Sequence, residues 1–374
     1  MAELVALDLP AGPGFVAALR AVWDAGDAVL PVDPRLPRPA AERLLAALRP
    51  SAVLTARGRT RLGDGLPVEP GDALVVATSG TTGEPKGVVH THASVTASAV
   101  LTSAGLAVDP DRDRWVACLP LAHIGGLSVL TRSIVTGTPC TVLERFDPVA
   151  VEDQARRGAT LVSLVATALG RCDATGYRSV LLGGAAPPVD LPANVVTTYG
   201  MTETGSGCVY DGRPLDGVEL RIGDGVLGAP GEILVRGPML LRAYRDGTDP
   251  RLAGGWLATG DGGHLDEDGT LVVFGRMAEV IVTGAEKVWP TQVEDVLGRH
   301  PGVAEVAVWK RPDPEWGERV VAWVVPTGAT VPGLDELREL VGGELARWAA
   351  PRELVVVDAL PRTAGGKLQR SALA

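Results

Sequence analysis

Ten consecutive residues, Thr78-Ser79-Gly80-Thr81-Thr82-Gly83-Glu84-Pro85-Lys86-Gly87, carry four hydroxyls, three glycines and one lysine. Glycines let the backbone approach a ligand closely and turn its N–H groups inward as an anion nest. The hydroxyls add donors and Lys86 adds a point charge, so the string suits a polyphosphate. It is not a Walker loop, which requires glycine immediately before the lysine, where Pro85 stands. A generic Gly/Ser/Thr stretch is more often a plain surface loop, and taken singly this one leaves both readings open.

Residues further along could serve the same ligand. Tyr199 offers a flat ring for an adenine face. Glu203 is a hard oxygen ligand suited to Mg²⁺ bridging ATP phosphates, with Thr202 placed to donate to the α-phosphate. Asp261 follows a Thr-Gly turn and could accept from both ribose hydroxyls; Arg276 could reach ribose or phosphate. Each has a plainer alternative: a structural tyrosine, a solvated glutamate, an aspartate capping a turn, an arginine in a surface ion pair.

Order along the chain changes that balance. The string at 78–87 resembles the phosphate-binding signature of the adenylate-forming superfamily, which includes acyl-CoA ligases, peptide-synthetase adenylation domains and luciferases. Similar segments follow in the family's order. Pro31-Val32-Asp33-Pro34-Arg35-Leu36 resembles an early strand-turn, and Leu119 to Leu127 the segment lining an acyl pocket. Gly183-Gly184-Ala185-Ala186-Pro187 resembles the adenine-binding stretch, and Thr198-Tyr199-Gly200-Met201-Thr202-Glu203 the YGxTE core. Thr259-Gly260-Asp261, Gly275-Arg276 and Pro361 to Lys367 complete the series.

The resemblance implies an ATP-dependent enzyme that joins a carboxylic acid to AMP and then to a thiol, with Mg²⁺ and coenzyme A as co-reactants. It implies that Lys367 enters the active site during adenylation and offsets charge building on the α-phosphate and the acid. It implies that His123 abuts the substrate carboxylate and positions it; no general base is needed, since a carboxylate is already ionised near neutral pH. The short N-terminus and the stretches 119–133 and 205–212 look like those of actinobacterial CoA ligases that act on an aromatic keto acid with two carboxylates. Such an acid needs apolar walls and a cationic or hydroxyl donor, for which Thr131, Arg132 and Ser206 are the candidates. A CoA ligase for another aryl or short acyl acid is the competing expectation. A catalytically inactive nucleotide-binding regulatory module is another, and retention of Glu203 and Lys367 argues against it. Two departures stand out: the phosphate string begins early, at residue 78, and the position two after Arg276 is Ala278.

The elements that must hold these groups read as α/β. Apolar spacing predicts helices at Phe15–Ala25, Pro39–Leu48 and Ser94–Gly105, alternating with strands at Ala28–Val32, Ser51–Leu54, Leu74–Ala77 and Gly87–His90. The phosphate string then joins two strands. Short strands and turns after residue 210 predict a small β-rich subdomain. The expected domains are 1–275, binding ATP and acid, and a mobile α+β domain over 276–374 that swings at Gly275-Arg276.

Composition sets the outer limits. The 374 residues are 46% hydrophobic, which excludes a disordered or fibrous class. A formal charge of −10 argues against a nucleic-acid partner. Only four lysines stand against 31 arginines (35 cationic residues less four), a bias fitting a GC-rich genome. Four widely spaced cysteines read as reduced thiols, and no apolar run approaches 18 residues, so a cytoplasmic protein without a membrane span is expected. A homodimer is compatible with the sequence, dimers being the commonest homo-oligomers.

Overall fold

The structure is a computed structural model that describes residues 1–79, 84–188, 190–223, 230–328, 331–362 and 368–373. It divides into two compact units, one of Met1–Leu220, Leu234–Leu257 and Gly269–Leu271, the other of Arg221–Ile233, Ala258–Asp268 and Val272–Ala374.

The first unit begins β1 (Leu4–Asp8), α1 (Pro13–Asp24), β2 (Ala28–Pro31), α2 (Arg38–Leu48), β3 (Ala52–Thr55), β4 (Gly58–Arg61), β5 (Asp72–Ser79), β6 (Pro85–Thr91) and α3 (His92–Gly105). Helix α1 starts where Pro13 can occupy the first turn without losing a hydrogen bond. Its Phe15, Leu19 and Val22 are buried at helical spacing, and each contributes about 1.5–3 kcal/mol by leaving water. Strand β1 is buried on both sides: Val5 and Leu7 pack in one cluster with Phe15 and Leu19, while Leu4 and Ala6 pack in another with Leu44 and Leu48 of α2. A sheet covered on both faces calls for parallel strands joined by helices. β2, β1 and β3 are indeed parallel neighbours, with β5 parallel beside β2. The expected strand-to-strand connection is present: β5 and β6 form an antiparallel hairpin in which Thr78 faces Lys86. A reciprocal capping box then starts α3, with Ser94 N–H donating to Thr91 Oγ1 at 3.1 Å and Thr91 N–H to Ser94 Oγ at 3.0 Å.

The second sheet comprises β7 (Trp115–Ala117), β8 (Cys140–Val142), β9 (Leu161–Leu164), β10 (Ser179–Leu182), β11 (Val195–Met201), β12 (Ser206–Tyr210) and β13 (Arg213–Pro214). Between them run α4 (Ile124–Thr136), α5 (Pro148–Arg156) and α6 (Ala166–Leu169). Its order is β13-β12-β11-β10-β9-β7-β8, parallel from β11 to β8 and antiparallel at β12 and β13. The charged run Asp111 to Arg114 is not wholly solvated. Asp113 is 6% exposed and pairs with Arg178 at 2.7 Å, and Thr160 also donates to it.

After residue 214 the chain is β-rich, as expected: β14 (Glu219–Ile222), β15 (Gly231–Arg236), β16 (Ala243–Tyr244), β17 (Arg251–Leu252), β18 (Trp256–Leu265) and β19 (Leu271–Arg276). Strand β16 returns to the first sheet and pairs with β6, Ala243 beside Val89 and Tyr244 beside Val88. The rest of the second unit is α+β: β20 (Ile281–Thr283), β21 (Glu286–Val288), α7 (Pro290–Leu297), β22 (Val303–Asp313), β23 (Gly317–Pro326), α8 (Leu334–Glu344) and β24 (Glu353–Val356). The β22–β23 hairpin and the two helices enclose one core through Val293, Leu297, Val308, Ala322, Leu337 and Val341. No described helix is long and apolar enough to cross a membrane.

Candidate active site

Of the phosphate string, Thr78 and Ser79 end β5 and Lys86 lies in β6; Gly80, Thr81, Thr82 and Gly83 fall outside the described residues, as does Lys367. The Lys86 ammonium sits 5.2 Å from the Tyr244 ring centroid. The Tyr244 hydroxyl donates to Glu203 Oε1 at 3.0 Å, and Leu241 N–H donates to the Glu203 carbonyl at 2.8 Å. Burial, then the Glu203 charge, push the Tyr244 phenol well up, so it stays a donor. Lys86 and Glu203, 117 residues apart in sequence, thus meet through one tyrosine.

The turn bearing Thr202 and Glu203 is fixed from below. His90 of β6 is 1% exposed, with Nε2 at 2.7 Å from the Thr202 carbonyl and Nδ1 at 3.3 Å from Ser94 Oγ. The carbonyl can only accept, so Nε2 carries the proton. Burial lowers the His90 pKa to about 4, partly offset by that bond, and the ring is neutral at neutral pH. Thr204 closes the turn, accepting from Met201 N–H at 2.8 Å.

Gly183, Gly184 and Ala185 directly follow β10, and Thr198 to Met201 lie in the adjacent β11. A Cβ on Gly183 would come within 2.6 Å of Thr198 Oγ1, and one on Gly200 would strike the Ser206 carbonyl. Only glycine lets these strands approach so closely, and Gly184 also has φ +87°. The register shift at Tyr199/Gly200 re-aims the strand just before Thr202.

Helix α4 carries two candidates. His123 is its N-cap residue and is exposed. Arg132 lies two and a half turns on and is 2% exposed. Its Nη2 donates to Ser206 Oγ at 2.7 Å and its Cζ lies 5.6 Å from the Trp115 ring centroid. Nε and Nη1 have no hydrogen-bond partner among the described residues; neither do Ser128 Oγ and Trp115 Nε1. Thr131 spends its hydroxyl on its own helix, donating to the Ser128 carbonyl at 3.2 Å. The structure therefore joins Arg132 and Ser206 and leaves Thr131 apart.

A cleft of 450 Å³ opens where the loops after β1, β2, β7 and β8 converge. Arg35, Arg145 and Arg171 line it, Arg35 paired with Asp33 at 2.6 Å and Arg171 stacked 5.4 Å from Phe146. Pro120 to Ala122, just before His123, form part of its wall.

In the second unit, Asp261 and Arg276 meet: Arg276 Nε lies 3.1 Å from Asp261 Oδ1 and Nη1 donates to the Thr259 carbonyl at 3.3 Å. Asp261, 9% exposed, also receives order from Thr259 Oγ1, which accepts its N–H at 3.1 Å.

Among the described residues no group of three or more His, Cys, Asp or Glu could hold a metal ion. One carboxylate, Glu203, fits a magnesium ion carried mainly by nucleotide phosphates and water, the usual Mg²⁺ arrangement. His90 and Tyr244 were not among the residues expected from sequence. A histidine ending an apolar strand was the one available hint for His90, and nothing marked Tyr244.

The family model of the AMP-binding enzymes matches residues 63–245, and that of the AMP-binding enzyme C-terminal domain matches residues 292–367. The chain is 40% identical to a probable 2-succinylbenzoate–CoA ligase of Mycobacterium tuberculosis, over 90% of this chain and 93% of that one. It is 37% identical to a 2-succinylbenzoate–CoA ligase of Bacillus cereus, over 80% and 69%. Its fold matches the o-succinylbenzoate CoA synthetase of Bacillus subtilis in complex with the acyl-adenylate intermediate, with a TM-score of 0.85, 30% identity, and 99% and 88% of the two chains covered. The same enzyme with ATP and magnesium matches at a TM-score of 0.83. The chain belongs to the AMP-binding, adenylate-forming enzymes, and 2-succinylbenzoate–CoA ligases are among its relatives there.

Proposed function

We propose that this chain activates 2-succinylbenzoate with ATP and passes the acyl group to coenzyme A, a reaction of menaquinone biosynthesis. A carboxylate repels nucleophiles and has no good leaving group. One of its oxygens attacks the α-phosphorus, the bond to pyrophosphate breaks, and the acyl group gains AMP as a leaving group. The CoA sulfur then attacks the acyl carbon, the C–O bond to AMP breaks, and the thiol proton leaves to solvent. Catalysis is mostly positioning and charge neutralisation.

The chain's residues divide that work. Thr78, Ser79, Lys86 and the string between them cradle the β- and γ-phosphates. The Gly183–Ala185 segment and Tyr199 take the adenine, Thr202 the α-phosphate, and Asp261 with Arg276 the ribose. Glu203 holds Mg²⁺, which when bound offsets phosphate charge. His123 orients the reacting carboxylate, and Lys367 neutralises charge during adenylation. The arginine-lined cleft beside His123 suits a thiol co-substrate bearing several phosphates, and we assign it to coenzyme A.

The observation that carries the choice of acid is Arg132. A buried guanidinium with two unsatisfied nitrogens and no carboxylate partner among the described residues is costly unless a ligand supplies the anion. A diacid does so: one carboxylate reacts near His123 and the other stays ionised. Nine residues of α4 separate the two, about 13 Å of rise, and a helical side chain leans back toward the N-terminus, which shortens the span. Trp115 adds a wall for the aromatic ring. Pyrophosphate release with a panel of acids tests the reading. Turnover of benzoate with none of 2-succinylbenzoate would overturn it.

A further inference from the structure

The phosphate hairpin and the Thr202–Glu203 turn come from different sheets, yet one residue touches both. Tyr244 is placed by its backbone. Strand β16 pairs along β6, Arg242 N–H donates to the Val89 carbonyl at 2.9 Å and Arg245 N–H to the Gly87 carbonyl at 2.7 Å. Gly87 allows that approach, since a Cβ there would lie 2.9 Å from Arg245 Cβ. So held, the Tyr244 ring lies under the Lys86 ammonium and its hydroxyl reaches Glu203 Oε1.

We propose that Tyr244 is a positioning residue for adenylation: its hydroxyl fixes the Glu203 carboxylate for magnesium while its ring seats Lys86, so that both phosphate-binding charges are set as one unit. The proposal rests on the reading that Glu203 holds Mg²⁺. A carboxylate bonded through one oxygen has one rotamer to offer, with its other oxygen turned to the ligand. A free one must be ordered by the ion itself, at the expense of affinity.

The test is calorimetric titration with α,β-methylene-ATP, with chelator and with saturating Mg²⁺. The ratio of the two affinities measures how far metal and nucleotide support each other. Tyr244→Phe keeps the ring under Lys86 and removes only the hydroxyl. It should lower the ratio about tenfold, leave metal-free affinity unchanged, and raise the Mg²⁺ needed for half-maximal pyrophosphate release. Glu203→Gln should abolish the ratio, and the double variant should lose nothing more. If Glu203→Gln abolishes the ratio but Tyr244→Phe retains it, the positioning role is wrong. If Glu203→Gln itself retains the ratio, the metal assignment falls and takes the proposal with it.

Discussion

Replacing Arg132 by methionine should make the protein more stable and the enzyme worse. The guanidinium is 2% exposed, with Nε and Nη1 unpartnered and Nη2 bonded to Ser206. A buried donor without a partner costs about 1–3 kcal/mol, so the two together cost roughly 2–6 kcal/mol. Losing the bond to Ser206 gives up about 1.5–3 kcal/mol, the range for hydrogen bonds to charged groups. Methionine is flexible enough to fill the space against Trp115. The balance centres on a gain of about 2 kcal/mol in the unliganded protein. With a diacid bound the sign reverses. Removing one partner of a buried ion pair costs about 3–5 kcal/mol, which lowers kcat/KM by about 10²- to 4 × 10³-fold. The assays are urea unfolding without ligand and pyrophosphate release with two acids, 2-succinylbenzoate and 4-oxo-4-phenylbutanoate, which lacks the ring carboxylate. The diacid should suffer far more than the monoacid. A clear loss of stability, with equal losses for both acids, would refute the reasoning and make Arg132 a structural residue.

Other perturbations probe the frame around it. His90 has a folded pKa of about 4, below its ordinary value of 6.5, so it favours the folded state fully above pH 6.5 and progressively less as pH falls toward 4. Unfolding free energy measured across that window should drop by up to about 3 kcal/mol, and His90→Gln should flatten the slope. Gly200→Ala would drive a methyl into the Ser206 carbonyl; we expect a loss of about 1–3 kcal/mol and weaker ATP binding by calorimetry, and unchanged binding would contradict the close approach. Lys367→Ala should slow adenylation, read as pyrophosphate release, much more than thioester formation from supplied acyl-adenylate. Equal losses in both half-reactions would count against its role.

Much of the α/β frame was legible in the sequence because its signals are local. Helical spacing at Phe15, Leu19 and Val22 and the alternation of helices and apolar strands are each set by neighbours along the chain. The phosphate string, the YGxTE core and the order of the motifs are local in the same sense, and so the family was readable. What only the tertiary structure decided is which distant groups meet. Arg132 and Thr131 are adjacent in sequence and both carry hydrogen-bond donors, yet helix geometry turns one toward Ser206 and the other back onto its own turn. Asp113 looks like its charged neighbours until Arg178, 65 residues later, arrives beside it. Tyr244 carries no local mark at all; it matters because an antiparallel pairing with Val88, 156 residues earlier, puts it between Lys86 and Glu203. Spacing along a chain can name the groups that do chemistry, but the partners that hold them are chosen by packing, where sequence distance has no meaning.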